Sequence, residues 1–137
     1  MRLLWAVNHG LTRVSKRMTR TLGVTGPQRL AVRIVGRHPG ISAGALAEIL
    51  HVHPSTLTGV LKRLMVRGAV ERRPDPADGR RAILQLTHTG RGLDALRAGT
   101  VEARVRAALA AVSDRDLAAA ARVLSRLSLV LGEAERP

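Results

Sequence analysis

Hydrophobic residues recur at helical spacing along most of the chain. Between residues 3 and 22 they alternate at intervals of three and four, which predicts an amphipathic helix that ends at Gly23. Three further helices are predicted, each opened by a capping signal and closed by a residue that disfavours helix. They begin after Thr25, after Ser42 and at Pro54. The first of them stops in the region from Gly36 to Gly40, the second ends before the turn at His51 and the third ends before Gly68.

Two more helices are predicted in the last third of the chain. The first is a long helix that begins at Thr87 or Thr89 and continues to Leu109, and the second covers residues 114–131 after a Ser113 cap. The helices at the two ends of the chain each carry an apolar stripe that one small domain is too small to cover. We therefore expect these stripes to meet in a homodimer, with folding back onto the same chain as the alternative.

A β-hairpin is predicted between these helical regions. Residues 82–86 alternate between two faces, as a strand does, and residues 69–73 can pair with them as the other arm. Prolines, aspartates and a glycine between the arms favour a turn. The arms and the turn carry four arginines, Arg72, Arg73, Arg80 and Arg81. The result is a cationic hairpin.

The two helices before the hairpin have the spacing of a helix-turn-helix. Ser42 to Gly68 contains two short helices joined by His51-Val52-His53, with the small Ala47 where the helices must approach. A glycine is usual in this turn, and His51 stands there instead, although histidine tolerates positive φ better than most residues. A helix-turn-helix followed directly by a cationic hairpin predicts a winged helix-turn-helix.

The charge of the chain narrows its class of partner. Its 137 residues have a formal net charge of +13, and the first 47 contain no acidic residue. Such a chain attracts polyanions, with nucleic acid as the first candidate and an acidic membrane surface as the second. No apolar run reaches the roughly 18 residues of a membrane span, and no signal peptide is evident, so we expect a cytoplasmic protein without a membrane partner.

The stretch from Ser55 to Gly90 resembles the MarR family of bacterial transcriptional regulators. It contains the Ser-Thr-x-Thr start of the second helix, the D-x-R of the wing at Asp78-Gly79-Arg80, and a strand ending in Leu-Thr-x-x-Gly. Thr25-Gly26-Pro27-Gln28 matches the start of the family's second helix. The sequence departs from the family at Gly59, where Arg is frequent, and at Met65, where Glu is frequent.

This resemblance implies a fold that is mainly helical, with a small hairpin wing and flanking dimerisation helices. It implies a winged helix-turn-helix over residues 25–90, a dimerisation part over residues 1–22 and 91–137, and a single domain of 1–137. The implied function is a transcriptional repressor that binds a pseudo-palindromic operator as a homodimer. A small anionic or aromatic effector would release it, and no cofactor is implied.

Candidate site residues follow from the helix-turn-helix and from the resemblance. Short hydroxyl side chains at the start of a recognition helix can bond base edges, whereas cations neutralise phosphates. By the family pattern, an arginine at the wing tip reaches the minor groove and the wing aspartate holds it. The candidate DNA-binding residues are Ser42, Ser55, Thr56, Thr58, Lys62, Arg63, Arg72, Arg73, Asp78, Arg80 and Arg81. The candidate effector-binding residues are Trp5 and His9, one helical turn apart, with Trp5 in the dimer core as the alternative.

Other function classes have weaker support in the sequence. There is no cysteine, so neither a thiol nucleophile nor peroxide sensing by thiol oxidation is available, and no glycine-rich phosphate loop indicates an enzyme. His51 and His53, with His88 beyond, are a weak signal for a metal site. The alternative function for a DNA-binding chain of this charge is a nonspecific, basic, architectural protein. RNA binding is disfavoured because Trp5 is the sole aromatic residue available for stacking on bases.

Overall fold

The computed structural model describes residues 1–133 of the chain. Seven helices and three short strands alternate within this range. In chain order they are α1 (Arg2–Leu22), α2 (Gly26–Arg37), β1 (Ile41–Ser42), α3 (Ala43–Leu50), α4 (Pro54–Val66), β2 (Val70–Pro74), β3 (Ala82–Leu86), α5 (His88–Ala95), α6 (Val101–Leu109) and α7 (Asp114–Glu133). The predicted final residues 134–137 of the helical C-terminal part lie outside the described residues.

An apolar core lies behind the helix-turn-helix. Side chains from α2, α3, α4 and the strands fill it, and all of the central ones are almost fully shielded from solvent. Its main members are Ala31, Val32, Val35, Leu46, Ala47, Leu57, Leu61, Leu64, Ala69, Val70 and Leu84. This core fixes α4 against α2 and α3, so the opposite face of α4 is left for other contacts.

The three strands form an antiparallel sheet in the order β1-β3-β2. The predicted hairpin is β2 and β3, with Val70 opposite Leu86 and Pro74 opposite Ala82. The sequence pattern did not predict β1, which is only two residues long and pairs Ile41 with Leu84. It is too short for any periodicity to show.

Local capping signals predicted the starts of α2 and α3 correctly. The Thr25 hydroxyl accepts from the Gln28 backbone N–H at 3.4 Å while the Gln28 side chain accepts from the Thr25 N–H at 2.9 Å, a complete capping box. Ser42 accepts from the Ala45 N–H at 3.2 Å and opens α3. His51 adopts the left-handed conformation that the turn requires, with φ 50° and ψ 46°. The departure from glycine at His51 therefore leaves the turn intact.

The long helix predicted from Thr87 to Leu109 is wrong, because the chain forms two helices there. α5 ends at Ala95, and α6 begins only after Thr100, which accepts from the Ala103 N–H at 3.2 Å and caps it. Gly99 lies between them with φ 72°, a left-handed value that a continuous helix excludes. The apolar spacing continues across this break, so periodicity alone could not reveal it.

The buried guanidinium of Arg29 explains the break. Arg29 is 2% exposed and extends from α2 to the end of α5, where it donates to the carbonyls of Leu93, Asp94 and Leu96. In a continuous helix these carbonyls would accept from residues of the next turn. Arg29 Nε also donates to Glu102 Oε1 at 3.0 Å, on the first turn of α6. The side chain of Arg29 thus replaces the backbone N–H groups that would otherwise donate to the last carbonyls of α5. It also holds α5 and α6 against α2.

The partners of Arg29 offset part of the cost of burying its charge. Burial lowers the pKa of its guanidinium below the ordinary value, and the carboxylate of Glu102 partly offsets this effect. The second oxygen of Glu102, Oε2, is itself buried and has no hydrogen-bond partner among the described residues. A second, more exposed ion pair joins α2 to α5, with Arg33 Nη1 2.8 Å from Asp94 Oδ1.

The terminal helices leave most of their apolar side chains in solvent. In α1 only Met18 is buried, while Leu3, Trp5 and Val7 are each at least 60% exposed. In α7, Leu124 and Leu131 are 58% and 67% exposed. These stripes are therefore not covered within one described chain.

We predict that Arg29→Met lowers the free energy of unfolding by about 3 kcal/mol, because three carbonyls and one carboxylate lose a buried, charged donor. Urea unfolding at one fixed protein concentration measures this loss. Arg37→Met makes the same change at an exposed position of the same helix and should cost less than about 1 kcal/mol. Equal losses for the two variants would contradict the bracing role of Arg29.

Candidate nucleic-acid interface

The start of α4 presents short hydroxyl side chains to solvent. His53 caps the helix through its ring, which contacts the Ser55 hydroxyl at 2.7 Å and accepts from the Ser55 N–H at 3.3 Å. Ser55, Thr56 and Thr58 are all exposed, and the Thr58 hydroxyl donates to the Pro54 carbonyl at 2.9 Å. The sequence did not predict the capping role of His53, since histidine is not among the usual capping residues.

Cationic residues continue the exposed face of α4. Lys62 and Arg63 are exposed one to two turns beyond the hydroxyl group, and neither side chain has a hydrogen bond or ion pair among the described residues. A side chain at Gly59 would meet no atom within 4 Å, so this part of the helix has open space beside it. The face therefore combines hydrogen-bonding groups near the helix start with charge further along.

The wing between β2 and β3 is held by its own aspartates. The Asp75 carboxylate accepts from the Ala77 N–H at 2.9 Å, and the Asp78 carboxylate accepts from the Arg80 N–H at 3.1 Å. The Asp75 N–H donates to the Arg81 carbonyl at 2.9 Å and closes the loop. The contact of Asp78 is to the backbone of Arg80, and the structure contains no ion pair between their side chains. Asp78 thus orders the wing tip while the guanidinium of Arg80 stays exposed.

The wing carries four arginines against three acidic residues, a formal charge of +1, and its acidic residues are already engaged. Glu71 is paired with Arg73 at 2.7 Å, and both aspartates of the loop accept from backbone N–H groups. Arg72, Arg80 and Arg81 are exposed and have no ion-pair partner among residues 1–133. These three cations are available to an outside anion.

The wing is attached closely to α4. The Gly68 N–H donates to the Met65 carbonyl at 2.9 Å and the Ala69 N–H to the Leu64 carbonyl at 2.9 Å, which ends the helix in a compact turn. The Thr87 hydroxyl, at the far end of β3, donates to the Gly68 carbonyl and accepts from the Gly90 N–H. Both ends of the wing are therefore anchored at the end of α4. Ser42, by contrast, uses its half-buried hydroxyl to cap α3.

An apolar cleft of about 600 Å³ lies behind α4. Leu11 of α1, Leu30 of α2 and Val60 of α4 line it, together with Lys16 and Thr56. Trp5 and His9, the predicted effector residues, do not line this cleft, and both are exposed. Thr56 borders the cleft as well as the outer face of α4, so a molecule in the cleft would contact the helix directly.

Neither a metal site nor a membrane-spanning helix has support among the described residues. Residues 1–133 contain no group of three or more histidines and carboxylates that could hold a metal ion. His51 and His53 serve instead as the end cap of α3 and the start cap of α4. Over the same residues, no helix has both the length and the hydrophobicity to cross a membrane.

The helix-turn-helix of α3 and α4, followed by the β2–β3 wing, defines a winged-helix protein. A family model described as "MarR family" matches residues 22–81. An HTH-type transcriptional repressor of Mycobacterium tuberculosis is 37% identical over 111 residues, which cover 81% of this chain and 77% of the relative. The chain therefore belongs to the MarR family, as the sequence motifs predicted.

Two other similarities agree with this assignment. The organic hydroperoxide resistance transcriptional regulator of Bacillus subtilis is 31% identical over 88 residues, which cover 64% of this chain and 60% of the relative. The crystal structure of S. aureus MepR in complex with DNA superposes with a TM-score of 0.79 at 17% identity, covering 94% of both chains. The second similarity is one of fold, and it confirms the predicted winged-helix architecture.

Proposed function

We propose that the chain is a transcriptional repressor that binds a specific duplex DNA operator through α4 and the wing. The observation that carries this proposal is the exposed face of α4, where hydroxyl groups at the helix start are followed by Lys62 and Arg63. A helix of this kind fits the major groove, with the hydroxyls at base edges and the cations at phosphates. Its start also favours phosphate through the helix dipole.

The wing would add a second contact beside the helix. Asp78 orders the tip through the Arg80 N–H and leaves the guanidinium of Arg80 free to enter the minor groove, where the negative potential is strong. Arg72 and Arg81 are exposed near it and can neutralise backbone phosphates. Residues 25–90 would thus form the DNA-binding part of the molecule.

We propose that operator binding requires a homodimer. α1 and α7 leave apolar stripes in solvent, including Val7 and Leu124, each more than half exposed. Exposed apolar surface of this extent is typical of an interface. A two-fold dimer would present two copies of α4 to a pseudo-palindromic operator, about one helical turn apart. Residues 1–22 and 91–133 would form most of the dimerisation part.

We propose that a small aromatic anion in the cleft behind α4 releases the operator. The cleft is lined by apolar groups with Lys16 as a cation, and it contacts the recognition helix at Thr56 and Val60. A ligand that fits only one position of α4 would shift the population away from the DNA-binding state. Effector binding is thus assigned to this cleft.

Two substitutions separate specific contacts from charge. Arg80→Ala should weaken operator binding by about 1–3 kcal/mol with little effect on random duplex, because it removes a contact with the bases.

Lys62→Ala should weaken binding to all duplexes alike and lower the slope of affinity against salt by about 1. Fluorescence anisotropy at several salt concentrations measures both. An unchanged salt slope for Lys62→Ala would contradict its phosphate contact.

The dimer is tested by mass in solution. We expect light scattering after size exclusion to give twice the chain mass of 14.7 kDa. Leu124→Asp should shift the mass towards that of one chain, because a buried carboxylate in the interface is strongly unfavourable. Ser125→Asp places the same charge on another face of α7 and should leave the dimer intact. A wild-type chain that runs as a monomer would contradict the proposal.

The effector cleft is tested by filling it. We expect some members of a panel of phenolic and aromatic carboxylic acids to lower operator affinity of the wild type at least tenfold. Leu30→Trp should abolish this response while keeping operator binding, because the indole occupies the cleft. Leu30→Ala enlarges the cleft and should keep the response. If Leu30→Trp responds as the wild type does, the ligand binds elsewhere.

A further inference from the structure

Arg67 joins the end of α4 to the end of α1. It is the residue that follows α4, and its guanidinium donates from Nη1 to the Gly23 carbonyl at 2.6 Å and from Nη2 to the Leu22 carbonyl at 3.1 Å. Leu22 is the last residue of α1 and Gly23 its cap. Carbonyls at a helix end lack helical partners and carry the negative end of the helix dipole, so a guanidinium is well placed there.

Gly23 is suited to receive this guanidinium in two ways. Its φ of 71° is left-handed, which ends α1 next to the two carbonyls that accept from Arg67. A Cβ at this position would lie 2.6 Å from both Nη1 and Nη2 of Arg67. No real Cβ tolerates such a distance, so any side chain at Gly23 would displace Arg67. Two residues 44 positions apart in sequence are thus matched to each other.

This contact is a direct connection between the proposed recognition helix and the proposed dimerisation helix. Among the hydrogen bonds of residues 1–133, those of Arg67 are the only ones that join α4 or its cap to α1. The Ser15 hydroxyl also bonds α1 to the Gly26 N–H at 2.7 Å, but that bond reaches α2. Arg67 therefore adds a direct brace at the end of α4 to the indirect connection that runs from α1 through α2 and the core.

In a dimer, that direction determines how far apart the two recognition helices lie. Half-sites are separated by about one helical turn of DNA, roughly 34 Å, and both helices must enter the major groove together. A small rotation of α4 about its C-terminal end displaces its N-terminal end. Both subunits of the dimer are affected, so the distance between the two recognition helices changes by the sum of two such displacements. A brace at this point therefore narrows the range of half-site spacings that the dimer accepts.

We propose that Arg67 is a positioning residue for operator binding: by fixing the end of α4 to the end of α1, it sets the half-site spacing that the dimer recognises. The proposal rests on the dimeric, DNA-binding function proposed above. It assigns Arg67 no contact with bases. The alternative for an exposed arginine at this place is a bond to a DNA phosphate, and the two roles predict different behaviour.

The test varies the spacing of the operator. An operator is selected from random duplexes, and its centre is then lengthened and shortened by one and two base pairs. The wild type should show a steep optimum in affinity at one spacing. Arg67→Ala should lose about tenfold at the optimum and much less at the other spacings, so that its preference is flatter. Thermal unfolding and light scattering confirm that the variant remains folded and dimeric.

Two further variants distinguish bracing from charge. Arg67→Lys keeps the charge but cannot make two bonds in a fixed fork, so it should resemble Arg67→Ala if the role is bracing. Gly23→Ala leaves Arg67 in place but displaces its guanidinium and should give the same flat profile. Because alanine is also strained at this left-handed position, thermal unfolding of the variant is measured alongside. The double variant Gly23→Ala/Arg67→Ala should be no flatter than either single variant, because both remove one interaction. Arg63→Ala is the matched control, with affinity lowered equally at all spacings.

The outcomes separate the two proposals. If the wild type has a steep optimum and Arg67→Ala keeps it while losing affinity uniformly, Arg67 contacts phosphate and the positioning role is overturned. If Arg67→Lys behaves as the wild type does, charge is sufficient and the role is likewise overturned. If the wild type itself binds every spacing equally, the dimeric regulator function fails, and the positioning role fails with it.

Discussion

The guanidinium of Arg29 is the interaction on which the arrangement of the helices depends. It is buried at the junction of α2, α5 and α6, and its donors go to carbonyls at the end of α5 and to Glu102. A buried cation is stable only when all its donors are satisfied. The chain meets this requirement by ending α5 at Ala95 and starting α6 at a new cap, Thr100.

This constraint reaches the candidate interface through α2. The helix carries Arg29 on one face and Ala31, Val32 and Val35 on the face that packs against α3 and α4. The same helix therefore connects the terminal helical region with the helix-turn-helix. Arg67 adds a second connection, from the end of α4 to the end of α1. Two arginines on different elements thus hold the winged helix in a defined position relative to the terminal helices.

The sequence predicted the helix caps and the hairpin turn, whose partners are neighbouring residues. It missed the contacts of Arg29 and Arg67, whose partners are distant in the chain. Capping at Thr25 and the hairpin turn at Asp78 need partners two or three residues away, so their signals are local. The partners of Arg29 are 64 to 73 residues distant and those of Arg67 are 44 and 45 residues distant, and nothing near either arginine indicates them. The break before Thr100 was missed for the same reason: the acceptor carbonyls are freed by a residue on another helix. The hydroxyls and cations of α4 were correctly predicted to be exposed, because the apolar residues of the helix occupy its core-facing side and the remaining positions face solvent.

The central claim is that this surface recognises a particular DNA sequence, beyond the attraction that a net charge of +13 exerts on any duplex. The direct measurement is fluorescence anisotropy of the wild-type protein on an operator selected from random duplexes, with an excess of unrelated DNA as competitor. We expect binding that survives the competitor and saturates at two chains per operator. Binding that disappears under competition would contradict the account, because it would mean that charge alone holds the protein to DNA.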